Sequence, residues 1–349
     1  MSATDGRGWQ PSAPLDNLRQ RAELVDRVRR FFGERGVLEV ETPVLAAAAA
    51  TDLHLASLST TLSGSPPRTL WLQTSPELHM KRLLASGSGP IWQLCKAFRD
   101  GEAGRRHNPE FTMLEWYRPG WDHHRLIEEV EALLRATLPQ LVGAPAAEKL
   151  TYCEAFQRHA GIDPFAADAA TLCLRAAELG VTVGSAEAAN DRGGAHTPHA
   201  ADGEATVVDW PREEWLHLLL ATVVEPKLGR DRVTFIHDFP AAEAALARVR
   251  DDDPPVAERF EAFVDGVELA NGYHELADPQ EQARRFTADL AARRERGLPE
   301  VPADARLIAA LAHGFPDCAG VALGFDRLAM LALGAASIDE VIAFPVDRA

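Results

Sequence analysis

The segment FRDGEAGRRHNPEFTMLEWYR, residues 98–118, does most to restrict what this chain can fold into. Residues 91–98 are apolar and aromatic, and residues 111–117 alternate apolar with polar, so each side of the segment reads as a strand. The loop between them holds two glycines, Gly101 and Gly104, and four groups that are or can become cationic: Arg99, Arg105, Arg106 and His107. Such a loop between antiparallel strands suits a polyphosphate, because forked guanidiniums bind phosphate oxygens bidentately. Phe111 begins the return strand, where its ring can stack on a base, a contact worth roughly 1–3 kcal/mol. An Arg-rich loop by itself is more often a solvated hairpin. The joint occurrence of Phe98-Arg99 and the His107-to-Phe111 spacing favours a ligand here.

A second hairpin spans residues 258–272. Asp265-Gly266 is a preferred two-residue type I′ turn. It predicts Val264 opposite Val267, Phe263 opposite Glu268, and Glu261 opposite Ala270. Glu261 and Glu268 then lie on one face as diagonal neighbours, about 7–8 Å apart, and both carboxylates can reach one hard cation. Either glutamate alone would suit a solvated strand face. Farther on, residues 320–330 read as a glycine-bearing strand running into a helix, with Gly324 at the junction and Arg327 in the first turn. Glycine permits close approach of a ligand, and an arginine there can face a phosphate.

Earlier in the chain, residues 15–36 form an amphipathic helix with Leu18, Ala22, Val25, Val28 and Phe32 on one stripe, followed by a short strand over 37–43. Residues 69–73 are a strand, and Ser75-Pro76-Glu77 opens a helix, with Ser75 as N-cap, Pro76 at the first helical position and Glu77 favouring the positive dipole end. A helix over 122–138 carries His123 and His124, which as adjacent residues point in different directions and argue against a metal role. Residues 184–204 lack periodicity and read as a surface insertion; His196 and His199 within it have no third ligand to recommend a metal site.

Composition adds limits. The 349 residues are 46% hydrophobic and 25% charged, as in a well-buried globular protein of one large or two modest domains. With 36 basic against 52 acidic residues the net charge is −16, which argues against strong nonspecific nucleic-acid binding. Cys95, Cys153, Cys173 and Cys318 are widely spaced and form no CxxC pair, so reduced thiols are expected rather than zinc ligands or disulfides. There is no apolar leader and no segment long enough to span a bilayer, so a soluble cytoplasmic protein without a membrane partner is expected.

The run FR…HNPEFTMLEWY resembles motif 2 of class II aminoacyl-tRNA synthetases, specifically the lysyl branch. RGVLEVETPVL resembles motif 1, which in that family forms a homodimer interface, and the 320–330 junction resembles motif 3. The resemblance implies an α+β class II catalytic core: a six-stranded antiparallel sheet flanked by helices over residues 15–349, after a tail of residues 1–14 and with the insertion at about 184–206. It implies that Arg99 grips the α-phosphate of ATP, His107 and Arg327 the γ-phosphate, and that Phe111 stacks on adenine. Asp100, Gly101, Glu102, Asn108, Glu268, Leu269 and Gly324 would complete the ATP site. The family usually has an acidic residue where Gly101 stands, with Glu102 one place later here.

GVELANGYHEL resembles the lysyl-enzyme segment before motif 3. There the equivalents of Glu261 and Glu268 bind Mg²⁺ with ATP, and that of Glu275 meets the substrate's side-chain ammonium. Glu115 and Tyr117 match the other members of that ammonium pocket. TSPE, with Ser75, Pro76 and Glu77, matches a segment whose glutamate contacts the substrate amino group, a role compatible with helix capping. Ala322 stands where the lysyl enzymes normally have glycine.

The helix leading into motif 1 begins near Leu15, so no anticodon-binding barrel is expected ahead of it. A free-standing lysyl core of this kind is similar to the elongation factor P–(R)-β-lysine ligase family of lysyl-tRNA synthetase paralogues. That resemblance implies activation of (R)-β-lysine, or lysine, as an adenylate by ATP, and transfer to a lysine of elongation factor P, with tRNA an unexpected partner. Two alternatives stay open. One is an enzyme of the same chemistry that charges tRNA or makes dinucleotide polyphosphates; the other is a non-catalytic paralogue that senses lysine. The presence of Arg99, His107, Arg327 and all three glutamates speaks against the second.

Overall fold

The computed structural model describes residues 9–181 and 210–349. The insertion expected at 184–206, with His196 and His199, lies outside them. In chain order the strands are β1 Leu38–Glu39, β2 Leu45–Ala46, β3 Ser59–Leu62, β4 Arg68–Leu72, β5 Ile91–Phe98 and β6 Glu110–Pro119. They continue as β7 Glu148–Thr151, β8 Thr234–Pro240, β9 Val249–Arg250, β10 Val256–Val264, β11 Val267–His274 and β12 Cys318–Gly324. Strands β2, β4 and β3 make a small separate sheet.

The main sheet has nine strands among the described residues and is mixed, in the order β1-β5-β6-β12-β11-β10-β8-β7, with β9 paired to β10. Its centre, β5-β6-β12-β11-β10-β8, is antiparallel throughout. The expected six-stranded antiparallel sheet is therefore present as the middle of a larger one. The short β1 and β7 extend it at the edges through parallel pairing to β5 and β8. The strand expected over 37–43 is only two residues long, and residues 40–43 run on without regular structure to β2.

Alternation along the central strands separates a core face from a site face. Leu114 and Trp116 of β6 and Ala319, Val321 and Leu323 of β12 belong to the main apolar core, with Phe32, Ile127, Val130 and Phe325 from three helices. Those helices are Leu15–Gly33, His123–Thr137 and Phe325–Leu333. The first buries Leu24, Val28, Phe31 and Phe32, whereas Ala22 of the expected stripe is exposed. On the other face, Glu115 and Tyr117 of β6 and Gly320, Ala322 and Gly324 of β12 border an open cavity.

One irregularity decides the layout of that face. Asp265 and Gly266 have φ of 53° and 71°, as a type I′ turn requires. The pairs Val264↔Val267 and Phe263↔Glu268 follow as expected, but the register then shifts and Ala262 pairs with Ala270. Leu269 is the extra residue of a β-bulge. Glu261 consequently lies opposite Asn271, not Ala270. Glu268 and Glu275 are an odd number of residues apart, so an unbroken strand would send them to opposite faces. With the bulge, Leu269 and Ala270 both join the core, while Glu268, Asn271, Tyr273 and Glu275 all reach the cavity.

Candidate active site

The cavity, about 460 Å³, runs across the sheet between β6, β12, β11 and β10. At one end lie three carboxylates and one ammonium. Glu77 begins the helix Glu77–Ala85, in which Lys81 follows one turn later. Lys81 Nζ is 2.7 Å from Glu77 Oε1 and 2.5 Å from Glu275 Oε2. Burial works against the charge on Lys81, but Glu275 and then Glu77 hold its pKa above the usual value. Burial pushes the Glu275 carboxyl up to about 7 even with Lys81 pulling it down. Glu115 accepts a hydrogen bond from Tyr117 Oη at 2.7 Å; burial and the nearby Glu77 hold its pKa well above the carboxylate range. This end is an acidic recess for cations: it holds more carboxylates than its single lysine neutralises.

The helix starts one residue later than expected. Pro76 occupies the N-cap position, while the Ser75 hydroxyl still accepts a hydrogen bond from the Glu77 N–H at 3.2 Å.

At the other end the cationic groups gather. Arg327 Nη2 contacts His107 Nε2, and Arg327 Nη1 donates to the Glu268 carbonyl at 3.0 Å and lies 3.4 Å from its carboxylate. The arginine of the 325–333 helix thus bridges the 98–118 loop and β11. Arg99 lies 3.6 Å from Glu102 and places its guanidinium carbon 5.1 Å from the centre of the Phe111 ring. Asn108 donates to the Glu110 carbonyl at 2.6 Å and accepts from the Val346 N–H at 2.9 Å, pinning the loop to the C-terminal segment.

Between the two ends, Glu261 is 2.5 Å from Arg259, and burial lifts its carboxyl to about 8 against the pull of that arginine. A buried carboxylate with so high a pKa takes up either a proton or a cation. Glu268 borders the same cavity and bears on the same titration. These two oxygen-donor residues fit a hard divalent ion.

The chain matches the family described as tRNA synthetases class II (D, K and N) over residues 11–348. The chain belongs to that family. Among curated proteins it is 51% identical to an elongation factor P–(R)-β-lysine ligase of Yersinia enterocolitica and 52% identical to one of Klebsiella pneumoniae. A third of that name, from Salmonella paratyphi A, is 50% identical, and each alignment covers 98% of both chains. The resemblance carried by FR…HNPEFTMLEWY and GVELANGYHEL is thus borne out over nearly the whole length.

Of the residues expected in the site of this class II chain, all but Pro76, Asp100 and Gly101 border the cavity. Asp100 is exposed, its N–H donating to the Ala56 carbonyl at 2.8 Å, and Gly101 is an exposed turn residue with φ of 79°. Glu102, by contrast, reaches the cavity.

Several cavity residues were not foreseen. The most consequential unforeseen residue, Lys81, is buried behind the cavity lining, against Glu77 and Glu275. Asn271 and Tyr273 could have been found by stepping back in twos from Glu275. Gly320 is required by packing: a Cβ there would sit 2.3 Å from the Tyr117 ring and 2.5 Å from Glu275 Oε1. Asp326 is buried beside Arg21 of the first helix at 2.5 Å and accepts from the Thr112 N–H at 2.7 Å. It thereby ties the first helix to the segments that resemble motifs 2 and 3. The far wall, including Trp210, Glu214, His217 and Leu218, comes from a helical stretch whose sequence carries no such signature.

Proposed function

We propose that this protein activates (R)-β-lysine with ATP as an adenylate and transfers it to a lysine side chain of elongation factor P. One observation carries the reading beyond the family: a single cavity joins an acidic recess of Glu77, Glu115 and Glu275, the first and last paired with Lys81, to an arginine–histidine cluster. When bound cations displace the protons that burial favours on Glu115 and Glu275, the recess carries up to two negative charges in excess of Lys81. A lysine isomer bears two ammonium groups and one carboxylate. The ammonium groups match the recess, and the carboxylate is left to face the phosphate end.

In this reading Arg99 and Arg327 hold phosphate oxygens, His107 assists Arg327, and Phe111 with Glu102 receives the adenine. Mg²⁺, held by Glu261 and Glu268, would supply neutralising charge to the polyphosphate. The chain's own groups act by positioning and by stabilising charge; no protein nucleophile is required. The exposed apolar side chains of Leu38 and Leu45, in the segment resembling motif 1, support a homodimer through that edge.

The test is incubation of the full chain with ATP, Mg²⁺, each lysine isomer and the host's elongation factor P, followed by intact-mass measurement. Growth of the factor by one β-lysyl residue is expected, with little lysylation of tRNA in a parallel reaction at physiological salt. An unmodified factor alongside efficient tRNA charging would overturn the proposal.

A further inference from the structure

Outside the cavity, at the start of the His123–Thr137 helix, three histidines converge. The rings of His123 and His124 lie 4.1 Å apart between centroids, and those of His124 and His237 5.2 Å apart. One ring nitrogen from each of the three comes within 4.8 Å of the others. Adjacent residues inside a helix diverge by about 100°, but His123 is the first helical residue after the Asp122 N-cap and its ring turns back toward its neighbour.

Two independent features set this cluster apart from ordinary packed histidines. His123 is 1% exposed, yet neither of its ring nitrogens has a hydrogen-bond partner. His237 Nδ1, by contrast, faces Asp238 Oδ2 at 3.2 Å, which leaves its other ring nitrogen for a ligand. Buried polar atoms without partners are uncommon and costly. In addition, Asp238 has φ of 58°, a left-handed conformation that non-glycine residues seldom adopt and that concentrates at functional sites. His274, the other histidine close by, is already satisfied: its ring nitrogens lie 2.7 Å from Glu258 and 2.9 Å from Asp317.

We propose that His123, His124 and His237 bind one transition-metal ion, Zn²⁺ by ligand type, with water in the fourth position. Three neutral imidazoles and an open position form a known tetrahedral zinc arrangement, with Zn–N bonds of about 2.0–2.1 Å. That geometry places the nitrogens about 3.4 Å apart, so the rings close inward, and the exposed His124 has room to swing. Asp238 is the outer partner: its Oδ1 is 3.7 Å from His123 Nε2, placed to orient that ring. Its Oδ2 is 3.2 Å from Arg250, whose charge is offset by Asp252 at 2.7 Å and Glu258 at 3.6 Å. A bound ion would clamp the start of the helix to β8.

The experiment uses the full chain without a histidine tag, treated with chelator and then titrated with Co²⁺ and Zn²⁺ in excess Mg²⁺. One equivalent of Co²⁺ with an intense tetrahedral visible spectrum is expected, displaced by one equivalent of Zn²⁺. His124→Ala, a surface change, and His237→Ala should each weaken Zn²⁺ binding at least tenfold. His274→Ala and the double change His196→Ala with His199→Ala should leave it intact. No stoichiometric Co²⁺ spectrum, or unchanged Zn²⁺ affinity in His124→Ala, overturns the assignment. So does loss of binding only in the His196/His199 variant.

Discussion

Lys81, from a helix, and Glu275, the residue that follows β11 far along the chain, form an ion pair with Nζ 2.5 Å from Oε2 where each side chain is only 1% exposed. With Glu77 on the same ammonium, Lys81 leaves the recess acidic but not prohibitively charged. Removing one partner of a buried pair strands the other, at a cost of about 3–5 kcal/mol. Lys81→Met, which keeps the packing, should therefore lower unfolding stability by that order and impair lysine binding with it. Urea denaturation of the variant measures the first, and a loss below about 1 kcal/mol would show that the pair does not support the fold.

The raised carboxyl pKa values give a pH dependence of definite sign. Glu275 and Glu261 titrate near 7 and near 8 in the folded protein, against an ordinary value of 4.5. Between about 4.5 and 8 the folded state therefore holds protons that the unfolded chain has released, and stability falls as pH rises through that window. His274, also raised, acts in the same direction. The ligand-free protein should melt at a lower temperature at pH 8 than at pH 6, and Glu261→Gln should flatten the slope. A melting temperature that climbs from pH 6 to pH 8 would contradict the burial argument.

Much of this arrangement was legible in the residues, for reasons that also explain what was not. Residues 113, 115 and 117, and 320, 322 and 324, share a face by simple alternation, so the two strands under the cavity were assigned correctly. Alternation fails at Leu269, because an extra residue in a strand leaves no mark on a period-two pattern until its partner strand is known. Lys81 looks like one more charged residue on an amphipathic helix; only Glu275, brought in by tertiary folding, makes it a buried one. His123 and His124 were separated by helix geometry that does not hold at a first turn.

The phosphate end makes a kinetic prediction. Arg327 touches both His107 and Glu268, and Arg99 lies over Phe111. Arg99→Ala or Arg327→Ala should reduce lysine-dependent ATP–pyrophosphate exchange by roughly 10²–10³-fold, the loss typical of one preorganised charge-stabilising donor. Arg327→Lys should not restore it, because an ammonium cannot reproduce the guanidinium fork. Near-normal exchange in both alanine variants would remove this cavity from consideration as the ATP site.

The last prediction concerns Ala322, which lies directly between Glu115 on β6 and Asn271 on β11. On the same face of β12, Gly320 lies under Tyr117 and Glu275, and Gly324 lies beside Arg327. Ala322 thus stands midway between the acidic recess and the arginine–histidine cluster, where in the proposed reading the carbons joining the substrate carboxylate to its nearer amine would rest. Its methyl group raises the cavity floor at that point. In β-lysine the amine is one carbon farther from the carboxylate than in α-lysine, so a raised floor should favour the β isomer. One methyl in a pocket discriminates by about 1–3 kcal/mol, or roughly 10–200-fold. Ala322→Gly should increase activation of α-lysine relative to β-lysine by a factor in that range. Pyrophosphate exchange with each isomer, in the native protein and the variant, reads the ratio directly. A ratio that holds steady or moves toward β-lysine would mean that this methyl does not set the preference.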